Sequence, residues 1–164
     1  MGVKRTNMLI KGLVDEDFIN YKKPSMFIIM PFCDFKCERD CGIDGICQNS
    51  TLADAQIINI DIDKLIERYI NNNITKSVVF GGMEPFMSPS DLELFINKFR
   101  SVCDDDIVIY TGYTEDEVRE NFSFIYKNKN IIIKFGRYIP NDISHYDDVL
   151  GVELASMNQY AKKI

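Results

Sequence analysis

The chain has 164 residues, 46% of them hydrophobic, with a formal net charge of −6, five cysteines and a single histidine. Its length suits one domain with a sizeable core, and its composition excludes a disordered chain at one extreme and a membrane protein at the other. The acidic balance argues against nucleic-acid binding, because a phosphate backbone selects a Lys/Arg-rich surface, and the doublets Lys4-Arg5, Lys22-Lys23 and Lys162-Lys163 read as solvated surface.

Residues 1–20 have a basic start but no continuous apolar stretch, and they carry Asp15, Glu16 and Asp17, unlike a secretory signal. The apolar run 26–30 is far too short to span a bilayer. A cytoplasmic location is the resulting expectation. Residues 1–24 read as an N-terminal extension of a single domain covering 1–164. Residues 25–32, apolar and β-prone with Pro31 near the end, predict a buried strand, followed by a cysteine loop over 33–50. Ile62, Leu65, Ile66, Tyr69 and Ile70 recur at helical spacing behind Asp61, a plausible N-cap, and Asn71-Asn72-Asn73 marks the helix end. Residues 77–80 predict a short strand closed by Gly81-Gly82. Ser88-Pro89 opens the next helix, whose buried stripe is Leu92, Phe95, Ile96, Phe99 and Val102. Residues 106–110 predict a strand, Thr114-x-x-Glu117 a capping box, 130–134 ("NIIIK") a strand, and 149–154 the last strand.

Strands therefore alternate with helices, and three strand runs are continuously apolar, as in strands covered on both faces. The expected fold is α/β with a mainly parallel sheet. About five strands are too few for a closed eight-unit barrel, so an open partial (β/α) barrel is expected. The cysteine loop, Gly81-Gly82 and Thr111-Gly112 then share the rim at the carboxyl ends of the strands, where such folds bind ligands.

Four cysteines fall within residues 33–47. A reducing cytosol and an odd cysteine count disfavour disulfides. Thiolates suit zinc or an iron–sulfur cluster. Cys33, Cys37, Cys41 and Cys47 are separated by three, three and five residues, an irregular zinc knuckle. The alternative is a [4Fe–4S] cluster held by three cysteines, leaving one iron open for a ligand. Cys103 reads as ordinary core or near-core. His145, flanked by Ser144, Tyr146, Asp147 and Asp148, reads as an exposed loop residue.

The segment Pro31-Phe-Cys33-Asp-Phe-Lys-Cys37 with Cys47-Gln-Asn-Ser50 resembles the cluster loop of radical S-adenosylmethionine enzymes, in particular the activating enzymes of anaerobic (class III) ribonucleotide reductase. The superfamily spacing is Cys-x3-Cys-x2-Cys. Cys41 comes one residue late for it, whereas Cys47-Gln-Asn resembles the Cys-aromatic-Asn that closes the activase motif. The resemblance thus implies Cys33, Cys37 and Cys47 as ligands, Gly42 and Gly45 providing turns between the last two, and Cys41 as a bystander. Phe80-Gly-Gly-Met-Glu-Pro-Phe86 resembles the Gly-Gly-Glu/Asp-Pro motif that binds the amino group of S-adenosylmethionine, with Met83 inserted. That implies cofactor contacts from Gly81, Gly82, Met83, Glu84 and Pro85; a plain strand–helix turn is the bland alternative. Tyr110-Thr-Gly-Tyr113 resembles the aromatic-Thr-Gly-Tyr of the activases and implies further contacts from Tyr110, Thr111 and Gly112. Gly136-Arg-Tyr138 resembles a Gly-Lys-aromatic segment, with Phe135 where the activases often have Asp. Ser156-Met-Asn-Gln159 resembles their Ser-Ser-Asn-Gln, which implies a place for Asn158 over the cofactor or substrate; an ordinary polar tail is its alternative. Ile46 stands where an aromatic often packs on adenine.

The resemblance implies an enzyme in which one electron from the cluster cleaves S-adenosylmethionine to methionine and a 5′-deoxyadenosyl radical. That radical would take a hydrogen atom from a glycine of the large reductase subunit, with flavodoxin or a similar one-electron donor supplying the cluster. Two alternatives stand beside this reading. One is another small radical S-adenosylmethionine enzyme, either the activase of a different glycyl-radical enzyme or one with a small-molecule substrate. The other is a non-catalytic four-cysteine zinc-binding interaction module.

Overall fold

A computed structural model describes residues 2, 4–45 and 50–164. Its centre is a six-stranded sheet in the order β2 (Gly12–Asp17), β3 (Ser25–Met30), β5 (Ser77–Gly82), β6 (Asp106–Tyr110), β7 (Ile131–Phe135) and β10 (Tyr160–Lys163). The four middle strands are parallel, and β2 and β10 add antiparallel edges. The remaining strands are β1 (Asn7–Ile10) paired with β4 (Ile58–Asp61), and a hairpin of β8 (His145–Asp147) and β9 (Val152–Leu154). The helices are α1 (Lys36–Cys41), α2 (Ile62–Ile70), α3 (Pro89–Arg100) and α4 (Glu115–Asn121). The protein is a mixed α/β structure with a mainly parallel central sheet, open because its edges β2 and β10 are not neighbours.

Local chemistry accounts for the helices. The Asp61 carboxylate accepts from the Lys64 amide, and Leu65, Ile66 and Tyr69 turn inward along the stripe read from the sequence. Thr114 and Glu117 form the expected reciprocal capping box of α4. Ser88 precedes Pro89 at the start of α3, yet its hydroxyl makes no cap hydrogen bond.

The two faces of the sheet are unequal. One carries the main core, in which Ile28, Phe80, Ile109 and Ile133 meet Phe95, Phe99 and Leu65. The other carries a thinner layer of Val79, Val108 and Ile132 under Tyr21, Leu150 and Leu154. Both faces being covered explains why the middle strands are apolar without alternation.

Three expectations are corrected. The segment read as an N-terminal extension supplies two strands, and Met8 and Ile10 are core residues with at most 1% exposure. Residues 149–154 do not form the last strand of the sheet: 149–151 lie in the turn of the β8–β9 hairpin, and the last strand is Tyr160–Lys163. His145 starts strand β8, half-buried, with Nδ1 out of solvent and not hydrogen-bonded among the described residues, rather than lying on an exposed loop.

Candidate functional site

The parallel sheet opens at its carboxyl end. The β3–β5 ladder runs to Met30↔Gly82, whereas the β5–β6 ladder stops at Phe80↔Ile109. Beyond that pair the two strands diverge, and the gap is spanned by Glu84. The Thr111 hydroxyl donates to Glu84 Oε1 at 2.8 Å, the Gly112 amide to Oε2 at 2.8 Å, and the Phe86 amide to Oε1 at 3.1 Å. Burial raises the Glu84 carboxyl above the ordinary carboxylate range, against the pull of these three donors and of the Lys134 charge. One buried side chain thus ties the Gly-Gly-Met-Glu-Pro turn to the Thr-Gly turn.

Packing dictates the two glycines. A Cβ on Gly81 would lie 2.9 Å from the Phe27 ring, and one on Gly82, whose φ is +83°, would lie 2.3 Å from Ile29 Cγ2. The bland explanation of Gly81-Gly82 is therefore sufficient for their identity. What they leave behind is space: Gly81, Gly82, Met83, Glu84, Tyr110, Thr111 and Gly112 all border a cavity of about 470 Å³ on the thinner face of the sheet, a size typical of small-ligand sites.

Cys33 and Cys37 border the same cavity. The Phe32 carbonyl accepts from the Glu84 amide at 2.7 Å, which anchors the start of the cysteine loop to the Gly-Gly-Met-Glu-Pro turn. Phe35 adopts a left-handed conformation (φ 54°) before α1 and directs its amide to Cys33 Sγ at 3.2 Å. Cys37 lies in the first turn of α1; a Cβ on Gly112 would come within 3.9 Å of its sulfur. Arg137 holds α1 against α4 by pairing with Asp40 at 3.0 Å and Glu117 at 2.8 Å. The guanidinium lowers the Glu117 carboxyl to about 2. Lys36 Nζ sits 3.7 Å from the centroid of the Tyr113 ring.

Two half-buried thiols on one cavity wall, one receiving an N–H···S contact, match the donor chemistry of an iron–sulfur cluster. Among the described residues no three His, Cys, Asp or Glu side chains gather for a metal. The third expected ligand, Cys47, lies outside the described residues, as does Ile46.

Other expected residues are placed differently. Pro85 is buried in the turn after Glu84 and does not border the cavity. Asn158 is exposed, donates to the Arg137 carbonyl at 2.8 Å, and borders a second, neighbouring groove together with Cys41. Its neighbour Gln159 reaches the main cavity instead, accepting from the amides of Ala155 and Ser156 and donating to the Gly136 carbonyl. The Ser-Met-Asn-Gln segment is thus a clasp on Gly136-Arg137. Cys103 packs partly buried against the core. Missed by the sequence reading are Lys134 and the apolar Ile19, Phe27 and Leu154, which also line the cavity, as does Tyr138 of the Gly136-Arg-Tyr138 segment. The available signal for Lys134 was a charge inside the otherwise apolar "IIIKF".

A family model described as a 4Fe-4S single cluster domain matches residues 25–154. The chain belongs to that family. In this 4Fe-4S single cluster domain the matched span runs from the first residue of β3 to the last of β9, and so includes Cys33, Cys37 and every strand bordering the crevice. The protein is accordingly an iron–sulfur protein. No curated protein and no solved structure matches the chain. No helix among the described residues is long and apolar enough to cross a membrane.

Proposed function

We propose that the protein is a radical S-adenosylmethionine enzyme that activates a glycyl-radical partner, the large subunit of an anaerobic ribonucleotide reductase. The observation that carries this reading is the convergence of Cys33 and Cys37 with Gly81, Gly82, Met83, Glu84, Thr111 and Gly112 on one cavity at the open end of a parallel sheet. Cys33, Cys37 and Cys47 would hold the cluster. When bound, cluster and S-adenosylmethionine together supply one-electron cleavage of the sulfonium and hydrogen-atom abstraction.

The chain's own residues do the positioning. Glu84 fixes the relative height of the two turns, so the cavity floor keeps one shape. The amide of Phe35 supports the sulfur of Cys33, a contact of the kind that tunes cluster potential. Val152, Leu154 and Phe27 line the cavity with apolar surface that limits water. The reading as a four-cysteine zinc module draws less support, because the matched family is a 4Fe-4S cluster domain and Cys41 is absent from the cavity shared by Cys33 and Cys37, although Cys37 also borders the groove that Cys41 lines.

The test uses anaerobically prepared, reduced protein, S-adenosylmethionine and a reductase deuterated at glycine. Deuterium in the 5′-deoxyadenosine product supports the assignment. Cleavage without deuterium transfer leaves a radical enzyme with another substrate. A colourless zinc protein ends the reading.

A further inference from the structure

The cysteines of the 33–47 stretch lie between two points where the chain is pinned. On the outgoing side the Phe32 carbonyl accepts from the Glu84 amide at 2.7 Å. On the return side the pin is one lysine from the N-terminal strands. Lys11 Nζ donates to the Leu52 carbonyl at 2.8 Å and to the Ala53 carbonyl at 2.5 Å. Its backbone amide donates to the Ile29 carbonyl of β3 at 2.7 Å. Lys11 stands at the junction of β1 and β2, where its neighbours Ile10 and Gly12 pair with Ile58 of β4 and Ile29 of β3. One residue thus bridges the strand that enters the cysteine loop and the segment that leaves it.

The chemistry suits a clamp. An ammonium has three N–H donors, and its charge strengthens the bonds they make. Lys11 is half-buried and takes part in none of the described ion pairs, so main-chain carbonyls take the place of a carboxylate. Among the described residues no other hydrogen bond ties residues 51–56 to the rest of the chain. Cys47 precedes Leu52 by five residues and Ile58 by eleven. Without Lys11 the nearest fixed point after Cys47, among the described residues, becomes the Ile10–Ile58 pair. A longer tether spreads a ligand over more positions.

We propose that Lys11 is a positioning residue for the cluster, clamping the return arm of the cysteine loop so that the third thiolate is delivered at a set reach from Cys33 and Cys37. This rests on the functional reading above, which makes Cys47 that ligand. The rival role is a surface lysine that caps the turn at Ser50–Leu52 and steadies the fold alone.

The test uses the full chain, loaded with cluster under anaerobic conditions, and follows iron release to an excess of chelator by the loss of cluster absorbance. Lys11→Met keeps the apolar stem and removes the donors. It is expected to release iron about tenfold faster than the wild-type protein, while Lys11→Arg, which can still donate to both carbonyls, stays within about twofold. Chemical denaturation of the metal-free proteins is expected to give matching midpoints. Lys11→Ala repeats the measurement if Lys11→Met does not fold. Iron release at the wild-type rate overturns the clamp, as does equal release from Lys11→Met and Lys11→Arg. Faster release with a metal-free midpoint lowered to match overturns it too, and assigns Lys11 to the fold alone. Cys47→Ala separates the clamp from the reading beneath it. If Cys47→Ala retains iron as the wild-type protein does, that ligand set falls and the clamp with it; if Cys47→Ala loses iron and Lys11→Met keeps it, only the clamp falls.

Discussion

At the residue scale the site depends on a few side chains that each perform one task. If Cys33, Cys37 and Cys47 are the ligands, alanine at any one of them abolishes reductive cleavage of S-adenosylmethionine, while Cys41→Ala retains it; loss in Cys41→Ala with survival in Cys47→Ala would reassign the third ligand. Iron content and 5′-deoxyadenosine formation read the outcome. Glu84→Gln is expected to cost about 1–3 kcal/mol in chemical denaturation, because the amide nitrogen that replaces one carboxylate oxygen cannot accept, which strips the acceptor from either the Gly112 amide or the Thr111 hydroxyl and Phe86 amide. The cysteine, Gly-Gly and Thr-Gly motifs were legible because their chemistry is local. Lys134 was not: a lysine closing "NIIIK" reads as a strand end reaching solvent, whereas it is buried and borders a cavity together with Glu84, Leu154 and Gln159, all distant in the chain. Asn158 was chosen over Gln159 for the reverse reason, since only the backbone course at Gly136 decides which of the two amides turns inward.

At the element scale, α1 is six residues long with no fully buried side chain, too short to hold its own shape. Outside contacts help to position it, among them the Asp40–Arg137–Glu117 ion pairs. Arg137→Met is expected to speed amide hydrogen exchange in α1 while leaving α2 and α3 unchanged. The same bridge has a pH signature. Glu117 is held down to about 2, so its contribution to stability is present above the ordinary carboxylate value and disappears as pH falls toward 2. The acid-unfolding midpoint of Arg137→Met is therefore expected at higher pH than that of the wild-type protein. Helices α2 and α4 were readable because Asp61 and the Thr114–Glu117 box announce their starts. Strands β1, β2, β4 and β10 were not, because they are short, lie at sheet edges or in a two-stranded pair, and carry polar residues there, as in Asp15-Glu16-Asp17 and Lys162-Lys163.

For the whole molecule, burial and charge pull apart at Lys134: burial lowers its ammonium to about 8, while the charges of Glu84 and Cys37 oppose the drop. The mixed α/β class and the parallel centre followed from alternating helical and apolar runs, whereas the inequality of the two sheet faces had no linear signature. That inequality sorts labour. The thick face, packed by α2, α3 and β1, keeps the domain folded, whereas the thin face is roofed by the β8–β9 hairpin, whose Val149, Leu150, Val152 and Leu154 supply much of its apolar cover. A roof made from one hairpin can be reshaped to admit a different guest, with the foundations below left as they are.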